Sequence, residues 1–297
     1  MAKLSAHVKQ LAAADRWTYR ASRQSATEPA AWAALALTAH GHVEAALRPA
    51  RWLADLQQDS GAVGITANDL APCWPTSLSL WCWAALDRAQ GSSEFQQNIR
   101  AAAEWSLADR GKSAPQSSHI GHNTELVGWS WAADTHSWLE PTCMFVLGLR
   151  AAGHDAHPRV REGVQLIVDR LLPDGGANYG NTIVLGQPLV PHVQPTGLAM
   201  LALGGEPSSD SRISRSLDYL RTSIDPELAS PSLAFAGLGL AAMGRRNAQS
   251  DQIIHDALDA PHAAEPLSTF EQALLLLALA PNAAMDGASA EPLGETL

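Results

Sequence analysis

The sequence is short of charge, of β-branched residues and of aromatic residues other than tryptophan. Only 17% of its 297 residues are charged, while 46% are apolar. A disordered chain needs the reverse balance, so disorder is excluded. Basic residues are the minority, 20 Lys and Arg against 30 Asp and Glu, for a net charge of -10. Nucleic-acid binding needs a basic surface, and no such surface is visible. No apolar run is long: Ala273 to Ala280 falls far short of the ~20 residues that cross a bilayer. The opening MAKLSAHVKQLAAADR lacks the apolar core of a secretory signal. Three cysteines, Cys73, Cys82 and Cys143, are too scattered for a disulfide framework and fit a reducing, cytoplasmic setting. Abundant Ala and Leu favour helix over strand. Tryptophan is absent after Trp138, so any aromatic-lined site draws on the first half of the chain.

A repeat is present. Its copies are EPAAWAALALTAHG (28–41), WPTSLSLWCWAAL (74–86), EPTCMFVLGLRAAG (140–153), QPTGLAMLALGG (194–205) and SPSLAFAGLGLAAMG (230–244). A sixth, LSTFEQALLLLALAP (267–281), has its proline earlier, at Pro266. Proline suits the first turn of a helix, and Gly41, Gly153 and Gly244 stand where left-handed caps belong. Helices apolar nearly all round are buried on most faces. Amphipathic segments at 5–22, 43–58, 94–107, 156–172, 211–222 and 249–259 alternate with them. Six inner and six outer helices predict an all-α, (α/α)6 toroid forming a single domain over 1–297, with 281–297 as a C-terminal tail. An open superhelical stack is the competing arrangement.

Links leaving the inner helices are short. Three links entering them are long: 59–74, 108–139 and 173–194. Long connections in a compact fold are usually functional or disordered. These carry Trp, His, Asn and Gly and fall on one face of the ring. The spacing predicts a central pocket opening there.

WLADLQQDSGAVG (52–64) resembles the QW-type repeat of squalene–hopene cyclases, with Trp52, Gln57 and Gly61 at matching positions. LIVDRLLPDGGANYGN (166–181) is similar, with Pro173, Asp174, Gly175 and Gly176 intact. The Pro-Thr helices resemble the inner helices of terpene cyclases and protein prenyltransferase β subunits. The resemblance implies a toroid and an isoprenoid or other apolar ligand. It implies a cyclase (isomerase) or prenyltransferase activity less firmly. Class II cyclases use a DxDD acid motif, which is missing here. Prenyltransferases bind zinc with Asp and Cys two apart, whereas Glu140 and Cys143 are three apart.

Asp69, Asp134, Glu140 and Glu125 are the carboxylates of the functional face. A general acid needs a pKa raised by apolar surroundings. An inner-helix N-terminus works against that at Glu140, so Asp69 and Asp134 rank above it as acids. Trp74, Trp129, Trp131 and Trp138 supply aromatic faces for a cation or a sugar. Of Trp81 and Trp83, two apart on one helix, at most one points to the pocket. Asn123, His136, Asn178, Tyr179, Asn181 and His192 complete the candidate ligand-binding set. Each has a plainer alternative in loop hydrogen bonding. No cofactor is expected; Cys143 and His192 beside Glu140 form a weak zinc alternative. His119 and His122 read as surface histidines.

Three functions compete: an acid-initiated enzyme acting on an isoprenoid, a carbohydrate-active toroid, and a non-catalytic toroid binding a lipid or partner. A deep dry aromatic chamber with one buried carboxylate favours the first. An open groove with two carboxylates favours the second. A filled ring centre favours the third.

Overall fold

A computed structural model describes residues 2–20, 24–117, 119–207, 209–260 and 266–281. The expected tail therefore lies, from residue 282 on, outside the described residues. The apolar helices are α2 (Thr27–Ala39), α4 (Thr76–Gln90), α6 (Leu139–Ala151), α8 (Val193–Ala202), α10 (Ser230–Ala242) and α12 (Thr269–Ala278). Between them run α1 (Ala2–Ala13), α3 (Val43–Asp55), α5 (Gln96–Ala108), α7 (Pro158–Asp169), α9 (Ser211–Ser223) and α11 (Ala248–Asp259). Each apolar helix packs against the next, and α12 returns to α2. The inner ring is therefore closed, and the outer helices clothe it: an (α/α)6 toroid rather than an open stack. Gly41, Gly153 and Gly244 all take positive φ, as left-handed caps do.

The Pro-Thr repeat has a physical reason. Thr76, Thr142 and Thr196 are fully buried. Their hydroxyls donate to Cys73 O (2.7 Å), Trp138 O (2.6 Å) and His192 O (2.6 Å) at the start of their own helices. They accept the N–H groups of Val63 (2.8 Å), Trp129 (3.1 Å) and Ala177 (2.8 Å) from the preceding crossings. One side chain thus staples each long crossing to the helix it feeds. Replacing Thr142 by Val keeps the shape but strands the buried Trp129 N–H. A loss of about 1–3 kcal/mol is expected in urea denaturation, with Thr142→Ser close to the parent. Equal stability of the Val and Ser variants would refute the staple.

Close approach of backbones marks one of the ring's tightest contacts. A Cβ on Gly197 would meet Phe235 O at 2.3 Å, and one on Gly239 would meet Gly197 O at 2.5 Å. Only glycine lets α8 and α10 touch this way.

One helix ends far earlier than its pattern predicts. The segment read as helical over 5–22 stops at Ala13. Trp17 leaves the helical path to pack on Trp52, centroids 5.6 Å apart. Its N–H bonds Ser25 Oγ (3.2 Å) and its carbonyl accepts Ala26 N–H (2.8 Å). These non-local bonds outweigh the helical period. Residues 14–20 and 24–26 thus belong to another crossing into an inner helix. With 56–75, 109–117, 119–138 and 170–192 they surround one mouth of the ring. The crossings are tied there: Thr27 N–H to Ile65 O (2.9 Å), Leu139 N–H to Tyr179 O (3.1 Å), Phe270 N–H to Thr18 O (3.2 Å). The last of them carries a small hairpin, β1 (Ile183–Val184) with β2 (Gln187–Pro188). Both of its turn residues, Leu185 and Gly186, have positive φ, as a two-residue hairpin loop of the right twist needs.

Among the described residues no helix is long and apolar enough to cross a membrane.

Candidate functional site

The residue before the repeat's proline opens four successive inner helices: Glu28 on α2, Trp74 before α4, Glu140 on α6 and Gln194 on α8. The repeat therefore brings four polar or aromatic side chains to the mouth at equivalent positions. Gln194 Nε2 donates to Glu140 Oε1 at 3.0 Å. Glu28 accepts a short hydrogen bond from the Tyr19 hydroxyl and a longer one from Trp32 Nε1 (3.3 Å). Glu140 is 6% exposed, and burial lifts its carboxyl to a pKa of about 7. Gln194's bond opposes that rise, and the charge of Glu28 adds to it. Burial also raises the pKa of Glu28, against its two donors. Glu28 keeps some contact with solvent, although protein surrounds it closely. Two carboxyls near enough to feel each other cannot both ionise cheaply, so they titrate as a pair.

Beneath them aromatic side chains meet inside the ring. Trp32 and Phe235 come from helices separated by α12, yet their centroids lie 5.6 Å apart. Trp81 joins them, 5.7 Å from Trp32 and edge-on. Trp32 is fully buried and Phe235 is 1% exposed. Aromatic side chains thus fill part of the ring's interior, and Trp81 among them stays half-buried. Trp83 turns the other way, into the outer ring, with Nε1 on Ala50 O at 3.0 Å.

A second space lies off the axis, a cavity of about 790 Å³ between the 109–138 and 170–192 crossings. Trp131, Asp134, His136, Trp138 and Asn181, all candidates from the sequence, line it. Trp131 also meets Trp74 edge-on at 4.9 Å, so one wall of the cavity packs on a residue of the mouth. Asp134 is exposed and lies 3.4 Å from Lys112 Nζ.

Other candidates stand elsewhere. Asp69 is exposed and accepts from Thr66 Oγ1 at 2.8 Å within its own turn. Ranking Asp69 and Asp134 above Glu140 as acids is therefore reversed: both stand in solvent, and burial at Glu140 outweighs the helix dipole. Trp129 lines nothing. It is fully buried, stacked on Phe145 at 5.2 Å, with Arg159 4.3 Å above its ring. Asn123 orders its loop through Asp169 (3.0 Å) and Glu125 N–H (2.9 Å). Asn178 Nδ2 donates to Val190 O at 2.8 Å. Tyr179 and His192 are exposed and lie 5.1 Å apart on the rim. The Cys143 thiol is fully buried, and among the described residues no three His, Cys, Asp or Glu side chains gather as metal ligands. The zinc alternative therefore has no geometric support. His122, read as a surface residue, is 8% exposed instead, and burial beside Arg170 lowers its pKa to about 4.

Glu28, Tyr19, Gln194, His122 and Arg170 are the residues that sequence reasoning missed. Glu28 was signalled: Glu28-Pro29 repeats Glu140-Pro141. Tyr19 was hidden inside the overlong first helix. His122 and Arg170 carry no sequence signal, because only the folded crossings bring them together.

No protein-family model matches the sequence, and no curated protein does. Solved structures match its shape. A mutant of a reducing-end-xylose releasing exo-oligoxylanase, complexed with xylobiose, aligns over 97% of this chain and 93% of its own, at TM-score 0.60 and 10% identity. A double mutant of Rex8A from Paenibacillus barcinonensis aligns over 97% and 94%, at TM-score 0.59 and 9% identity. Native alpha-2-macroglobulin from Escherichia coli, from domain MG7 to its C-terminus, aligns over 93% of this chain and 41% of its own, at TM-score 0.53 and 13% identity. These likenesses show the α/α toroid fold.

Proposed function

We propose that the protein acts on a glycan at the mouth of the ring, as a glycoside hydrolase of α/α toroid form. The observation that carries this reading is the enclosed pair Glu28 and Glu140, held at equivalent positions of two inner helices. Glycoside hydrolysis uses two carboxyl groups in different protonation states. Glu140 has the environment of the acid: it is buried, and its proton is retained to about pH 7. It would protonate the glycosidic oxygen as the bond to the anomeric carbon breaks. Glu28 is the partner carboxyl, accepting from Tyr19 and Trp32 Nε1. It would serve as base for the incoming water or as nucleophile. Trp74 and Trp131 provide apolar faces on which a sugar ring stacks. The resemblance of the fold to oligosaccharide-acting toroids supports the ligand class. The isoprenoid reading needs a deep apolar chamber, and Trp32, Trp81 and Phe235 packed together inside the ring speak against one.

That aromatic packing also favours a second reading, a toroid that binds glycan without cleaving it. Incubation with short neutral oligosaccharides, xylo-oligosaccharides first, separates the two by chromatography of products. Hydrolysis is expected, and Glu140→Gln should lower it by about 10²–10⁴-fold. Binding without products would support the second reading. A glycan panel with neither binding nor products, together with a prenyl lipid in the native mass spectrum, would overturn both.

A further inference from the structure

Between the outer helices α9 and α11 lies a cavity of about 630 Å³, within the range of small-molecule sites, about 300–1,000 Å³. The link from α10 to α11, Gly244 to Asn247, borders it at the end of the ring away from the mouth. It shares no lining residue with the off-axis cavity or with the carboxyl pair. Leu217, Ile224, Leu240 and Ile253 give it an apolar floor: Leu240 is buried and the other three are half-buried. Beside that floor stand three arginines, Arg221, Arg245 and Arg246, against one carboxylate, Asp218. The rest of the chain has no such accumulation. Acidic residues outnumber basic ones 30 to 20, and no other two Lys or Arg residues are adjacent in the sequence.

The three arginines differ in what occupies them. Arg246 is engaged: its Nε donates to Asp251 Oδ1 at 2.9 Å and its Nη1 to Ala280 O at 2.6 Å. Arg221 Nη2 lies 3.6 Å from Asp218 Oδ1, in an exposed pair. Arg245 is exposed, and its guanidinium forms no ion pair among the described residues. With Asp251 set against Arg246 and Asp218 against Arg221, the charge of Arg245 is left over. A groove beside α5, of about 590 Å³, lacks this feature. The link from α6 to α7 borders it in the same way, but its Arg100 donates to its own Glu104 at 2.9 Å.

An apolar floor next to an unmatched guanidinium suits a ligand with two parts. An apolar body covers Leu217 and Ile253. An acid group accepts two parallel N–H bonds from Arg245, whose planar fork matches a carboxylate or a phosphate. We infer that this cavity binds a small organic anion, an apolar body bearing one carboxylate or phosphate group. The site uses nothing of the carboxyl pair, so it stands whether or not the protein acts on a glycan.

Calorimetric titration of the whole protein tests this, with hexanoate, hexyl phosphate, hexanol, inorganic phosphate and hexyltrimethylammonium as probes. Hexanoate or hexyl phosphate should bind saturably, at least about tenfold more tightly than hexanol or inorganic phosphate, each of which carries half of the recognised chemistry. The tighter of the two names the acid group. Arg245→Gln removes the free charge, and Ser214→Glu sets a carboxylate at the cavity edge. Each should weaken the anion by about tenfold. Both positions are exposed, so an unchanged thermal midpoint without ligand is expected of both variants. Arg100→Gln, in the α5 groove, should bind like the parent. No saturable binding of either anion, hexanol or the cation binding as tightly as the anion, or affinity unchanged in Arg245→Gln would each overturn the site. Equal weakening in Arg100→Gln would reveal a diffuse effect of charge and overturn it too.

Discussion

Replacing Glu140 by Gln should make the protein more stable than its parent at pH 8 and leave it nearly equal at pH 4. In the folded protein this carboxyl has a pKa of about 7, raised from 4.5 by burial. The folded state therefore holds a proton that the unfolded chain releases between those values. Stability from this group is fully present below pH 4.5 and declines as pH rises through 7. Above that, the buried charge costs on the order of 3 kcal/mol. Glutamine keeps a carbonyl for Gln194 Nε2 and carries no charge at any pH. Urea denaturation of both proteins from pH 4 to 8 would show the curves separating as pH rises; parallel curves would sink the assignment of a buried acid. Because the charge of Glu28 contributes to the shift, Glu28→Gln should move the parent's decline to lower pH. The same substitution at Glu140 is the one expected to stop turnover. A stabilised, inactive protein is the outcome expected of a site that sacrifices stability for a poised proton.

At the opposite end of the ring, Arg150→Met should cost more than any surface change. Arg150 extends from α6 and donates from Nη1 to Ala202 O at 2.6 Å, just where α8 ends. Its Nη2 contacts Glu206, and its Nε lies 2.8 Å from Asp155 Oδ1. Arg150 and Glu206 side chains are 7% and 9% exposed. Glu206 also takes a two-pronged bond from Arg161, 2.7 Å on each side. Breaking a buried pair by removing one partner costs roughly 3–5 kcal/mol, because the other charge is left stranded. Arg161 still reaches Glu206, so the lower figure applies. About 3 kcal/mol corresponds to a fall in Tm of roughly 6–12 °C for a chain of this size. Arg100→Ala is the control: its bond to Glu104 at 2.9 Å is exposed on both sides, and such pairs contribute about 0–1 kcal/mol. Equal losses in the two variants would show that burial adds nothing at Arg150. The same device recurs, with Arg88 on Ala151 O (2.9 Å) and Arg246 on Ala280 O (2.6 Å). Arginines at one end and threonines at the other thus hold successive inner helices in register.

Much of the fold is legible in the residues themselves. Proline before a small polar residue, then three turns of Ala and Leu, then glycine, marks each inner helix. Alternation with amphipathic segments is enough to specify two rings, since helices apolar all round must be enclosed. The long crossings were visible as length and composition, and their shared face follows from the alternation. Fine boundaries were less legible. The first helix stops at Ala13 because Trp17 finds Trp52 across the fold, a contact with no local signature.

Within the site, spacing determined which side chains reach the mouth, and tertiary packing decided what each one is. Glu28 and Glu140 share the position before proline, and that much is written in the chain. Whether such a carboxyl is ionised depends on the water it has lost. That depends on what packs around it: Tyr19 and Trp32 beside Glu28, and, from far along the chain, Gln194 beside Glu140. A local rule, the helix dipole, argued for a charged Glu140, and desolvation overruled it. The tryptophans divide in the same way. Trp129 and Trp131 are neighbours in one loop, yet one is sealed under Arg159 and the other borders a cavity. Periodicity determines which helices are buried because it is a property of each segment alone. Polarity, protonation and access belong to the surroundings, and only the closed ring supplies those.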